Sequence, residues 1–310
     1  MFEFEKHNIM ILNNTLGECE KRYNNIRSAY VYKKMSPLKR MLFKIHEHVY
    51  RGGKSYWYGD WKFDVKAYDT FFIIGGGRGV DIVEFIKENN PAARVIIYYN
   101  NTIDFDGRNN PRNFVHLDCE LYTFDHKDAK TYKITQKDYY YNCYDKVSLY
   151  NNVSEINDIF FVGVDKGRLH KLIKVKKMLY NYKCVYHIVP QKHKRYNEME
   201  KIYLSDCHMP YEDVMKNVAC CKCVLEIKEA GQSGLTLRAI EALYFRKKLI
   251  TSDENIVFYP WYNSNNIFIL KEGTTLEEIE KFFKKDYKEL PNEMYTMYNP
   301  EYWLESFFIN

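Results

Sequence analysis

The stretch that most constrains this chain runs from Cys223 to Thr251, C-V-L-E-I-K-E-A-G-Q-S-G-L-T-L-R-A-I-E-A-L-Y-F-R-K-K-L-I-T, and it reads as strand, tight loop, helix, strand. Val224, Leu225 and Ile227 predict a short buried strand, and Gly231 and Gly234 bracket a loop free of bulky side chains. From Thr236 the spacing turns helical: Leu237, Ile240, Ala242 and Leu243 share one face, while Arg238 and Glu241 meet at i, i+3. The backbone N–H groups of Gly234, Leu235 and Thr236 at this helix start favour an anion such as a diphosphate. Arg238 would add a charged fork. Glu241, one turn further on, suits hydroxyl recognition, as acidic residues do for ribose in dinucleotide folds. Together these features suggest a nucleotide-sugar site; the plainer alternative is an ordinary αβ crossover with Arg238 and Glu241 as a solvated ion pair.

The run Q-S-G-L-T-L-R-A-I-E-A-L followed by K-K-L-I-T resembles the donor-binding segment of small bacterial GT-B glycosyltransferases that build lipopolysaccharide, lipooligosaccharide and capsule. The likeness extends to D-I-F-F-V-G-V-D-K-G-R-L at Asp158 to Leu169 and to Y-T-F-D-H-K-D-A at Tyr122 to Ala129. It implies an α/β fold of two Rossmann-like domains facing across a cleft, with the nucleotide sugar bound by the second. It also implies a saccharide or lipid-linked saccharide acceptor. Many retaining members carry a glutamate eight positions before the one matching Glu241, where this chain has Ser233. The stereochemistry is therefore left open.

Length and composition agree with this organisation. A chain of 310 residues suits two domains of roughly 150 residues each, here 1–150 and 151–310, and with 46% hydrophobic residues it can bury two cores. The 29 tyrosines point to hydroxyl-rich interiors or binding grooves. A net charge of +5 is too small to argue for nucleic acid. No stretch approaches the roughly 20 apolar residues of a membrane span, and the start M-F-E-F-E-K-H lacks a secretory layout, so a cytoplasmic protein is expected. Eight cysteines fit free thiols in a reducing compartment; Cys207, His208, Cys220, Cys221 and Cys223 lack the paired spacing of a metal site.

In chain order, Ile9 to Leu12 is a first strand. Lys21 to Lys54 then carries ten Lys or Arg against one acid, Glu47. Its second half predicts an amphipathic helix from Ser36, with Leu38, Met41, Leu42, Ile45 and Val49 as the apolar stripe and Lys39, Arg40 and Lys44 around it. Such a helix either packs on its own domain or lies on an anionic membrane surface, which would make the protein peripheral on the inner face of the cytoplasmic membrane. Asp69 to Asn101 reads as strand, G-G-G-R-G loop, helix and strand, and Gly76, Gly77 and Arg78 would face the acceptor. The glycine spacing there is not a nicotinamide fingerprint. Asp104-Phe105-Asp106 has the D-x-D form of a metal-dependent GT-A site, but it lies in an Asn-, Gly- and Pro-rich loop. One or two strands are expected within Phe114 to Phe124. Tyr139 to Asn157 is the expected interdomain linker.

The second half should open with strand Ile159 to Val164. Gly163, Asp165, Lys166 and Arg168 at its end would join Gln232, Ser233, Gly234, Leu235, Thr236, Arg238 and Glu241 in binding the donor. A short strand near Ile202 to Leu204, a helix from Pro210 and a terminal aromatic helix from Pro300, which could return to the first domain, complete the pattern. Candidate catalytic bases are Asp104, Asp106 and Asp125. No cofactor and no strict metal requirement are expected, since helix dipoles and basic side chains can neutralise a leaving diphosphate. The alternatives are another nucleotide-dependent Rossmann enzyme, a dehydrogenase or methyltransferase, or a non-catalytic partner subunit of the same fold.

Overall fold

The computed structural model describes residues 3–49, 53–75, 79–103 and 110–309. The chain forms two compact α/β units, the first made of Met1–Asn142 with Pro300–Asn310 and the second of Cys143–Asn299.

The first unit contains β1 (Ile9–Leu12), α1 (Cys19–Arg22), β2 (Ile26–Ala29), α2 (Pro37–Val49), β3 (Thr70–Ile74), α3 (Val80–Asn89), β4 (Arg94–Tyr99), β5 (Glu120–Thr123), α4 (His126–Tyr132) and β6 (Thr135–Gln136). The strands form one parallel sheet in the order β2-β1-β3-β4-β5-β6. A parallel sheet covered on both faces needs apolar residues at successive positions, and I-M-I-L and T-F-F-I-I supply them. Met10, Phe71, Ile73, Val95 and Ile97 pack on one face with Ile82, Val83 and Ile86 of α3. Ile9, Phe72, Ile74, Ile96 and Tyr98 pack on the other.

The second unit contains β7 (Asn157–Val164), α5 (Leu169–Met178), β8 (Cys184–Val189), α6 (Glu198–Lys201), α7 (Tyr211–Ala219), β9 (Cys221–Glu226), α8 (Leu237–Tyr244), β10 (Lys248–Thr251), β11 (Ile267–Ile269) and α9 (Leu276–Phe283). Its parallel sheet has the order β11-β10-β9-β7-β8. Chain direction across the sheet reverses between β7 and β9, so their carboxyl ends diverge into a switch point of the kind where α/β sheets bind ligands. The corresponding switch in the first unit lies between β1 and β3.

Two Rossmann-like parallel sheets are thus present as expected, and α10 (Pro300–Glu305) belongs to the first unit. Several boundaries differ from the sequence reading. The division falls after Asn142, because Tyr140 and Tyr141 are fully buried and Tyr140 packs into the first core. A Tyr-rich stretch resembling a linker is here a core strap, while Tyr144–Tyr150 forms a 3-10 segment of the second unit. Residues 114–124 give one strand, β5, within the one or two expected, and Pro111–Phe114 is 3-10. Leu204 makes only an isolated bridge to Ile188. Strand β2 pairs in parallel with β1 at the sheet edge, where the sequence pattern predicts no strand.

Trp303 of α10 fixes the returning segment. Its ring centroid lies 5.6 Å from Phe72, 5.2 Å from Tyr98, 4.5 Å from Tyr140 and 4.7 Å from Phe307. Trp303→Ala should remove this contact set and destabilise the first unit by about 3–5 kcal/mol in chemical denaturation. A loss below about 1 kcal/mol would show that α10 is an accessory to that core.

Candidate functional site

The second unit's candidate site is built at the β7/β9 switch point. Beyond β7 the chain turns through Asp165, Lys166, Gly167 and Arg168 into α5. Gly167 has φ +82°, with no atom within 4 Å of the position a Cβ would take. The Arg168 guanidinium lies back over the strand ends, donating to the carbonyls of Val164 at 2.5 Å, Asp165 at 3.2 Å and Ile227 at 2.6 Å. One side chain therefore ties the β7 loop to the β9 loop. Gly163 makes room for it, since a Cβ there would stand 3.1 Å from Arg168 Nη2. Burial lowers the pKa of Arg168 from its ordinary value. A second tie runs from Lys166 to Glu229 at 2.5 Å, with the lysine side chain partly exposed. Gln232 donates its backbone N–H to the Glu229 carbonyl at 3.3 Å, which joins the expected Gln232–Thr236 loop to the same site.

The floor of the site is a set of buried carboxyl groups with local partners. Glu226, at the end of β9, is buried and accepts hydroxyl hydrogen bonds from Thr236 and Thr251. Burial raises its pKa, against the two hydroxyls and Lys228, which favour the charged form. Lys228 pairs with Asp253 at 2.7 Å, both side chains nearly buried. Asp165 is fully buried beneath Lys194 at 2.5 Å and the Tyr196 hydroxyl at 2.8 Å, and it accepts the Leu169 N–H at 2.7 Å. Burial opposes its ionisation, but those bonds prevail and hold its pKa below the usual range. Sequence reading missed Glu226, Lys228, Asp253 and Lys194. The available signal was an acid placed at the end of an apolar strand, which must find partners once buried.

Several expected site residues have other work in this conformation. Glu241 is fully buried, held by Arg238 Nη2 at 2.7 Å and the Tyr211 hydroxyl at 2.6 Å. The carboxylate expected to reach sugar hydroxyls braces α8 against α7, and its partner Arg238 is only 17% exposed, so the pair is not the solvated one the sequence allows. Burial pushes its pKa up, opposed by Arg238 and Tyr211. Thr236 caps α8, accepting from the Ala239 N–H at 3.4 Å, while its own hydroxyl donates to Glu226. Asp165 is likewise a loop brace. Asp125 is a buried N-cap of α4, accepting from the N–H groups of Lys127 at 2.9 Å and Asp128 at 3.1 Å. A general base must reach the proton that it removes, and this carboxylate is shielded. Ser233 is half-buried and Gly234 and Leu235 are buried in the loop before α8. Asp104, Asp106, Gly76, Gly77 and Arg78 lie outside the described residues.

A hollow of about 790 Å³ lined by Tyr144, Tyr150, Tyr244, Arg246 and Tyr295 lies at the amino ends of β9 and β10, away from the strand exits. Its cations are engaged, Arg246 with Glu289 at 3.1 Å and Lys247 with Glu155 at 2.6 Å. Among the described residues no cluster of His, Cys, Asp or Glu is arranged to hold a metal ion. Cys221 and Cys223 are buried core thiols, and burial lifts the former to about 12.

Arg238→Ala would leave Glu241 ionised or protonated without its principal partner in a dry site. A loss of about 3–5 kcal/mol is expected, with Arg238→Met/Glu241→Leu recovering most of it. A single variant of unchanged stability would show that the pair opens readily to solvent. For Asp165, the lowered folded pKa means that its contribution is present above the unfolded value near 3.9 and is lost as pH falls through the folded one. Asp165→Asn should therefore flatten the acid limb of the stability–pH curve, and an unaltered limb would contradict the ion pair.

Comparison with protein-family models gives no match, and comparison with curated proteins gives none. Among solved structures, the chain is similar to a UDP-GlcNAc 2-epimerase from Neisseria meningitidis bound to UDP-GlcNAc, at 8% identity over 97% of this chain and 99% of that one, with a TM-score of 0.49. It is also similar to a UDP-N-acetylglucosamine 2-epimerase from Rickettsia bellii, at 10% identity over 97% and 94% of the two chains and a TM-score of 0.47. A glycosyltransferase from Rickettsia africae ESF-5 matches at 10% identity over 96% and 83%, with a TM-score of 0.47. At this level of identity the likeness gives no residue a role.

Proposed function

We propose that the chain is a glycosyltransferase of GT-B type whose second unit holds a nucleotide-sugar donor at the β7/β9 switch point and passes the sugar to a saccharide acceptor in bacterial surface polysaccharide synthesis. The observation that carries this reading is the pair of cations, Lys166 and Arg168, spanning two strand ends in one crevice. A diphosphate seated there would accept from Lys166 and from backbone N–H groups, and Arg168 would keep the two loops at a fixed separation. In the transfer, the bond between the sugar's anomeric carbon and the diphosphate oxygen breaks as the acceptor hydroxyl forms the new bond. The hydroxyl proton goes to a base, for which Asp104, Asp106 and Asp125 are the candidates offered by the sequence; of these Asp125 is engaged as a helix cap. Lys166 and the loop dipoles would stabilise the charge developing on the leaving diphosphate without requiring a divalent ion.

The Lys166–Glu229 pair gives the site a self-neutralised resting form, in which an incoming diphosphate competes with a carboxylate for the same ammonium. Lys166→Ala should weaken binding of a nucleoside diphosphate by about tenfold or more, equivalent to roughly 1.4 kcal/mol. Glu229→Gln should tighten it. The test is a thermal-shift and calorimetric screen against UDP-, GDP-, ADP-, CDP- and dTDP-sugars, since a ligand that binds the folded state raises its stability. Stabilisation by NAD or S-adenosylmethionine alone would favour a different Rossmann enzyme, and no response to any nucleotide would favour a non-catalytic subunit.

A further inference from the structure

The hollow at the amino ends of β9 and β10 stands at the far end of the sheet from the donor crevice. β9 has six residues, which sets its two ends about 20 Å apart. The volume of about 790 Å³ falls in the range of small-molecule sites. The 3-10 segment Tyr144–Tyr150 lines it with two aromatic rings, and α8 holds them in place: Tyr144 lies 5.3 Å from Tyr244 and Tyr150 lies 5.8 Å from Phe245. Arg246, also in the lining, has φ +53° just past the C-cap of α8. Its N–H donates to the Leu243 carbonyl at 3.1 Å and the Lys247 N–H donates to the Ala242 carbonyl at 2.8 Å, a Schellman closure in which this left-handed position favours glycine. The arginine carries backbone strain that glycine would avoid. What it adds is a guanidinium 4.6 Å from the Tyr295 ring centroid, held there by Glu289, which pairs with Arg246 at 3.1 Å and accepts the Tyr295 hydroxyl at 3.0 Å. The arginine side chain is still 54% exposed, so the fork is positioned and also accessible.

We propose that this hollow is a second saccharide site, which takes a neutral di- or trisaccharide against its tyrosine rings and hydrogen-bonds it through Arg246, Ser148 and Asn151. A sugar ring presents C–H groups on its faces and hydroxyls at its rim, and the lining offers flat rings beside exposed polar side chains to match. A nucleotide or other anion is a poorer match. Ala219 and Tyr244 bring the C-terminal ends of α7 and α8 to the hollow, and the negative dipole ends there oppose an anion, as does Asp145 in the lining. Arg246 and Lys247 are moreover paired with Glu289 and Glu155. A wholly apolar ligand would strip water from Ser148, Asn151 and Arg246 without replacing its hydrogen bonds. The site is separate from the donor crevice and goes beyond the proposed transfer, since its occupant binds without reacting.

The experiment is saturation-transfer NMR titration of the full chain with lactose, maltotriose and chitotriose, in the wild type and in Arg246→Gly, Tyr150→Ala and Lys166→Ala. At least one of these probes should bind the wild type. Arg246→Gly removes the guanidinium and relieves the left-handed strain, so its thermal midpoint should hold or rise while saccharide binding weakens by about fivefold or more. Tyr150→Ala should weaken binding by a similar factor. Lys166→Ala should leave it unchanged, because Lys166 stands at the carboxyl ends of the strands. The proposal is overturned if no probe binds the wild type, or if Arg246→Gly and Tyr150→Ala bind as the wild type does. Binding lost in Lys166→Ala alone would put the saccharide in the donor crevice, overturning this site and leaving the proposed function standing. Uridine diphosphate binding that Arg246→Gly abolishes would make the hollow an anion site and overturn the proposal as well. Saccharide binding as expected, in a protein that binds no nucleotide sugar, would support this site and count against the donor reading alone.

Discussion

A guanidinium laid over the carboxyl ends of two parallel strands sets the ligand-facing edge of the second unit. Arg168 reaches carbonyls on both sides of the β7/β9 division, and the more exposed Lys166–Glu229 pair makes a second tie between the same two loops. A parallel sheet leaves backbone carbonyls at its strand exits that no further ladder can satisfy. Arginine can meet three of them at once because its donors are spread in a rigid fork. The same placement leaves positive charge and open backbone at the point where α/β sheets admit ligands. Arg168 thus supplies the structural support, and Lys166 beside it is the cation that the proposed diphosphate would meet.

Beneath that edge, the second unit solves a recurring problem of buried carboxyl groups in three ways. Glu226 is met by two threonine hydroxyls, Asp165 by a lysine, a tyrosine and a backbone N–H, and Glu241 by an arginine and a tyrosine. Each set links elements separated in sequence, so each fixes a loop to the sheet or one helix to another. Such networks give geometric definition at some cost in desolvation, which is the useful trade where a site must be held open in one shape. In the first unit one core cluster is rich in aromatic packing, with Trp303 of α10 and the following Phe307 set against residues of β1, β3 and β4 and against Tyr140.

The fold was legible where burial imposes a pattern. Apolar runs such as T-F-F-I-I marked strands covered on both faces, and the change to helical spacing after Thr236 marked α8. Strand β2 escaped because I-R-S-A pairs at a sheet edge through its backbone and buries little besides Ile26. Composition misled at Tyr139–Asn142, where tyrosines that resemble a polar linker are core residues. In the site, the positions of Lys166, Arg168 and the Gln232–Thr236 loop were legible from strand exits. Arg238 beside Glu241 was legible from the i, i+3 spacing, but Tyr211 at Glu241 and Lys194 at Asp165 were not, because only tertiary folding brings them there. The amphipathic character of α2 was plain from spacing, but which side faces the domain depended on Phe43 finding Tyr32 and Trp57.

Hydrogen–deuterium exchange with and without a saturating nucleoside diphosphate sugar tests the donor-site account most directly, because it reports where the ligand sits independently of turnover. Protection should rise in residues 165–170 and 227–238, on both sides of the switch point, and should fade in Lys166→Ala. Protection confined to the loops after β1 and β3 in the first unit, with 165–170 and 227–238 unchanged, would contradict it.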